Sequence, residues 1–209
     1  MTSAVGTAPA ADHTELRHVL RSGVRLGVLQ SIVIAAFGVA SRGLSGPLEV
    51  AVLTALLIVG VAATVALPGL WTRARSIEGI AGAAGIGLCA AGVFLAIDVA
   101  LFQPVGLYTN RWHEIGGGSN WWYHPVWWMA GTYLPWMGAW VLANQSARSG
   151  APNPAALVVG TFLLAAAWMA LAMLVSFPGA RFGVGTFGVS VLPALALLVA
   201  VTSLGVRRR

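Results

Sequence analysis

The sequence predicts an all-α integral membrane protein: a bundle of about six transmembrane helices with both termini cytoplasmic. Three observations carry that expectation. First, only 9% of the residues are charged and 58% are apolar, whereas soluble domains carry about 25% charged residues. Second, apolar runs of about 18 residues or more recur, each long enough for a hydrocarbon core of roughly 30 Å. These runs are continuous rather than alternating, so helices and not a barrel satisfy the backbone in lipid. Third, all twelve basic residues are Arg, and a six-span path puts nine on one side and three on the other. Positive loops stay in the cytoplasm, which points to the cell inner membrane.

Residues 1–22 read as a cytoplasmic lead-in, featureless to Asp12 and then an interfacial basic helix from about Thr14. In it Arg17, Arg21 and Arg25 share one face at every fourth residue, and Leu16, Val19 and Leu20 share another. With the apolar run ending at Gly38-Val39-Ala40 it has the outline of a signal peptide, but it is read as a retained first span. The transmembrane domain covers 23–206, and 207–209 form a basic cytoplasmic tail. Span 1 is about Leu26 to Ala40, the least apolar because of Gln30 and Ser31. Span 2 begins at Pro47, with Glu49 where the helix dipole favours an acid, and stops near Leu67 before Pro68-Gly69. A turn with Arg73 and Arg75 leads to span 3, about Ile77 to Phe102. Its Gly79, Ala83, Gly87 and Ala91 make a ladder of small side chains for a close neighbour. An aromatic-rich outer loop follows at about 103–122. Span 4 runs from Pro125 to about Ala143 and is expected to kink at Pro135. Asn144 to Pro154 is a polar turn, span 5 is about Ala155 to Phe177, and span 6 about Phe182 to Gly205.

What is missing excludes several classes. Without Lys there is no Schiff-base chemistry and no phosphate loop ending in Lys. Cys89 stands alone, so no disulfide frame or thiolate cage exists. The net charge of +6 is spread over loops, a topology signal rather than a nucleic-acid surface. No GxSxG or Ser-x-x-Lys setting activates a nucleophile.

Function is expected around Gln103 to Trp140, which holds seven of the nine Trp and all three Tyr. The pocket candidates are Asp98, Arg111, His113, Glu114, Asn120, Tyr123, His124, Trp128, Tyr133 and Trp136. Asp98 lies about four residues below the outer end of span 3, roughly 6 Å deep. A carboxylate facing lipid there costs about 2.5 kcal/mol, so it is expected to face other helices. Arg111 and His113 are the cations expected near it. One reading is a structural ion pair with Arg111 that pins the loop; the other is a proton-handling or ligand-binding carboxylate. Asp98, His113, Glu114 and His124 together offer nitrogen and oxygen ligands for copper, iron or zinc. The spacing supports this weakly, since His113-Glu114 lacks the second His of a zincin helix. Trp121, Trp122, Trp127 and Trp128 fit an interfacial belt. Tyr133, Trp136, Met137 and Trp140 form a deeper stripe, packed on neighbouring helices or lining a slot for a flat apolar molecule.

Three functions follow as expectations. The first is a non-catalytic polytopic protein whose outward pocket binds lipid or an apolar cofactor, or which is a subunit of a membrane complex. Its partners would be lipid and, through the helices, other subunits or a second copy. The second is a metal- or quinone-dependent redox subunit using Asp98, His113, Glu114 and His124. The third is a small transporter hinged at Pro135.

Overall fold

The computed structural model describes residues 12–108 and 123–204 of the chain, without the side chains of Tyr123 and His124. Among the described residues the fold is all-helical. The six helices are α1 (Leu16–Gly43), α2 (Gly46–Trp71), α3 (Ile77–Ile97), α4 (Tyr123–Ser149), α5 (Pro154–Leu174) and α6 (Val184–Ser203), and α3 is prolonged by a π-helical turn, Asp98–Phe102. Five of them, all but α4, are long and apolar enough to cross a membrane.

The exception is explained by where α4 sits. It is the helix richest in Trp, Tyr and amides, yet its second half is closely enclosed, with Met137 to Ala139 and Val141 to Asn144 all buried. It runs antiparallel to α3 along its length. Trp128 lies over Gly92, Gly131 and Pro135 lie against Gly87, and Ala139 and Ala143 pack with Ala74, Ile80 and Ala83. On another face, Gly138 meets the Val65 carbonyl of α2 and Ala139 meets Gly69. Three steps of the ladder of small residues on α3, Ala83, Gly87 and Ala91, therefore serve α4, while Gly79 faces Asp12 and Ala74. Pro135 cannot give the Gly131 carbonyl its helical donor. That oxygen lies so close to Gly87 that a Cβ there would be 2.2 Å from it. A helix with polar side chains is best placed where other helices, rather than lipid, surround it.

α1 reaches α3 through its own small residues, Gly23 against Cys89 and Gly27 against Ala90 and Val93. It is unbroken from Leu16 to Gly43, so the basic stretch with Arg17, Arg21 and Arg25 is its first turns and not a separate surface helix. Its 28 residues span roughly 42 Å at 1.5 Å each, which lets the charged turns project beyond the apolar part. Midway, Gln30 Nε2 donates to Thr64 Oγ1 of α2 at 3.1 Å.

Other boundaries shift for identifiable reasons. α2 continues through Pro68 to Trp71, because the Thr72 N–H and hydroxyl both donate to the Pro68 carbonyl at 3.0 Å and close the last turn. α4 continues past Ala143 because Asn144, expected in a turn, is buried and donates to Thr202 (3.2 Å) and Ser203 (3.0 Å) of α6. Arg148 then caps α6 by donating to the Val201 and Leu204 carbonyls, and Gly150, at φ +79, ends the helix. α5 stops at Leu174, where Ser176 turns left-handed at φ +53. It starts on Asn153, whose side chain accepts from Ala156 N at 2.9 Å.

One end of the bundle thus gathers the start of α1, the α2–α3 turn, the α4–α5 turn and the end of α6. There Asp12 ties the N-terminal segment to α3: its Oδ2 accepts from Ser76 Oγ (2.6 Å), Ser76 N (2.9 Å) and Arg75 N (3.2 Å). Burial acts to raise the Asp12 carboxyl, but the hydrogen bonds from Ser76 and Arg75 outweigh it and hold the group below its ordinary value of 3.8. A depressed carboxyl stabilises the fold at neutral pH and loses that contribution as pH falls below 3.8 towards the folded value. Amide-exchange protection around His13 to His18 is accordingly expected to drop on acidification through that window. Asp12→Ala should reproduce the drop at neutral pH.

Candidate functional site

The π turn at the other end of α3 decides what Asp98 can do. Asp98 and Phe102, four residues apart, share the inward face of this turn and are both buried, while Val99 and Leu101 are exposed. The Gln103 N–H closes the turn on the Asp98 carbonyl at 2.9 Å. Asp98 is fully buried. Its Oδ2 accepts from Gln103 Nε2 at 2.7 Å, and its Oδ1 accepts from the Tyr108 hydroxyl. Both described partners are neutral donors from the segment that directly follows. The chain is held down further by Leu107, whose N–H donates to the Phe102 carbonyl at 2.9 Å and whose side chain sits on Gly38 of α1. Arg42, at the end of α1, donates to the Gly106 carbonyl. Phe94 and Trp127 stack above at 4.3 Å between ring centroids.

The inward orientation of Asp98 follows the expectation, but its partners were not foreseen. Arg111, His113, Glu114 and Asn120 lie outside the described residues, as do the side chains of Tyr123 and His124. The signal for Gln103 was its place five residues on, the spacing of a π turn; Tyr108 carried no comparable signal. Glu49, read only as a dipole partner, is a second buried carboxylate.

The three described aromatic candidates have their contacts elsewhere. Trp128 is partly exposed beside Gly92. Tyr133 donates to the Leu192 carbonyl of α6 at 2.9 Å. Trp136 is partly exposed and leans on Trp140 at 6.1 Å. Among the described residues no three His, Cys, Asp or Glu side chains are grouped to hold a metal ion.

A groove at this end lies between α5 and α6, in a region to which the sequence assigned no site. It is an open groove of about 890 Å³, lined by Trp168, Phe177, Phe182, Ser190 and Pro193, with Arg181 in its wall. That volume is within the range of roughly 300–1,000 Å³ that takes small molecules. Pro193 inside α6 leaves the Val189 carbonyl without a helical donor, and Val189 belongs to the same lining. The signal was a proline in mid-span, as in α4, after a basic Pro-Gly-Ala-Arg turn.

No family model, curated protein or solved structure matches the chain. Fold and geometry define the class alone: among the described residues, a helical bundle with five helices long and apolar enough to span a membrane.

Proposed function

We propose that the chain is a six-span inner-membrane protein, both termini cytoplasmic, which binds an amphipathic lipid at its non-cytoplasmic end and acts without catalysis, as a subunit of a membrane complex. The observation that carries this reading is the α5–α6 groove. It has an apolar floor for an acyl chain, a guanidinium for a headgroup and volume for a ligand of that size. Orientation is supported by the arginines: Arg17, Arg73, Arg75 and Arg148 belong to one end of the bundle, Arg42 and Arg181 to the other. Asp98 supports the absence of chemistry, because both its oxygens are engaged in latching its own segment. α5 is the least enclosed span, with 17% of its apolar window buried, and is the face a partner subunit or second copy would cover.

The test is lipid extraction and mass spectrometry of the purified protein. Wild type should retain a lipid that Val189→Trp, which fills the groove from an exposed position, and Arg181→Gln both reduce by about tenfold or more, as expected when a charged hydrogen bond or the site itself is lost. Equal retention by all three proteins would refute the reading. Activity of the redox kind, lost with His124→Ala while lipid content stays unchanged, would favour the metal or quinone alternative instead.

A further inference from the structure

A second site lies at the opposite end, on the turn between α2 and α3. Arg73 and Arg75 are exposed there, and neither guanidinium has a hydrogen-bond or ion-pair partner among the described residues. They flank a pocket of about 230 Å³, walled also by Leu70, Leu142, Ser146 and Pro152. Its volume is several times the roughly 30 Å³ share of a water molecule. Arg73 holds φ +50. It terminates α2 by donating to the Leu70 carbonyl at 3.2 Å, while Ala74 donates to the Gly69 carbonyl at 3.0 Å. This is the helix-ending position where Gly alone turns left-handed without steric cost. A long cation kept there against the backbone preference points to a use for its side chain. The start of α3, the other electropositive group nearby, is already capped by Asp12 and Ser76, so an anion in the pocket would be met by the two guanidiniums.

We propose that this pocket seats the phosphodiester headgroup of an anionic phospholipid. The Arg fork matches phosphate oxygens in pairs. The pocket opens at the helix ends, where headgroups lie, and Leu70, Leu142 and Pro152 offer apolar wall to the glycerol backbone. Basic pockets between helices at headgroup depth favour such lipids. The site depends neither on the α5–α6 groove at the other end nor on which leaflet faces it.

The experiment is native mass spectrometry of the full chain in detergent, titrated separately with phosphatidylglycerol, phosphatidylcholine and inorganic phosphate. Wild type should prefer phosphatidylglycerol. Each guanidinium near the surface is worth about fivefold, so the pair Arg73→Gly with Arg75→Gln should lower phosphatidylglycerol affinity about 25-fold and leave phosphatidylcholine unchanged. Arg73→Gly alone should lower it about fivefold while keeping or raising the melting temperature, because Gly suits the left-handed turn. Arg75→Gln, at an exposed side chain, supplies the same reading if the double variant fails to fold. An unaltered lipid preference in these variants would overturn the proposal. So would displacement of phosphatidylglycerol by millimolar inorganic phosphate, which would mark a free-anion site.

Discussion

Among the described glycines, Gly138→Ala should be the most damaging substitution. The added Cβ would stand 1.9 Å from the Val65 carbonyl oxygen and 2.8 Å from the Val65 carbonyl carbon, both backbone atoms of α2. Neither can swing aside as a side-chain tip would, so α4 must lift from α2. Ala gains about 1 kcal/mol of helix propensity over Gly. Overpacking a core costs about 1–3 kcal/mol, and a clash with backbone belongs at or above the top of that range. A net loss of about 2 kcal/mol follows from those two figures. Gly87→Ala, 2.2 Å from the Gly131 carbonyl oxygen, should behave alike. Gly85→Ala is the control: its Cβ would meet only Val19 Cγ1 at 3.4 Å, ordinary contact, so it should be neutral or stabilising. Thermal unfolding of the three variants in one detergent gives the comparison. Equal melting points would mean that α4 does not nest in the α2–α3 cleft.

Asp98→Ala is the second large effect. It removes the fully buried acceptor of two hydrogen bonds, from the Gln103 amide and the Tyr108 hydroxyl, each worth about 0.5–1.5 kcal/mol, or about 1.5–3 kcal/mol where the acceptor is charged. A loss of about 3 kcal/mol is expected, most of it local to the segment after the π turn. Asp98→Asn keeps one acceptor and should lose about half as much. Tyr108→Phe removes one of the same bonds, so Asp98→Ala combined with Tyr108→Phe should destabilise by clearly less than the two single effects summed. The expected readout is the onset of proteolysis between Phe102 and Tyr108 together with the melting curve. A silent Asp98→Ala would show that the carboxylate is not a latch and would return it to ligand or proton chemistry.

Much of the fold was legible because lipid imposes a single strong rule. Five helices show it as long, predominantly apolar runs, and Ala83, Gly87 and Ala91 of the small-residue ladder on α3 marked a close helix contact. Two missed boundaries have identifiable causes. Asn144 and Pro68 are residues that end helices in water, but here Thr202 and Ser203 of α6 engage the one, and local bonds from Thr72, four residues on, close the last turn after the other. The site was less legible. A buried acid advertises itself in an apolar span, so Asp98 was found. Of its described partners, Gln103 stands at the five-residue spacing of a π turn, while Tyr108, ten residues on, carried no comparable signal. The aromatic stripe drew attention to α4, whereas the groove sits at a turn of ordinary composition near Arg181.

The account rests most heavily on α4 crossing the membrane between the other spans, since its composition alone would not require it. In a Cys89→Ala background, single cysteines at Val105, Phe182 and Ala151 can be probed in intact cells with a membrane-impermeant maleimide. Labelling at Val105→Cys and Phe182→Cys, with Ala151→Cys reached only after permeabilisation, is the predicted result. Labelling of Val105→Cys and Ala151→Cys from the same side would place both ends of α4 on one face and contradict the six-span arrangement.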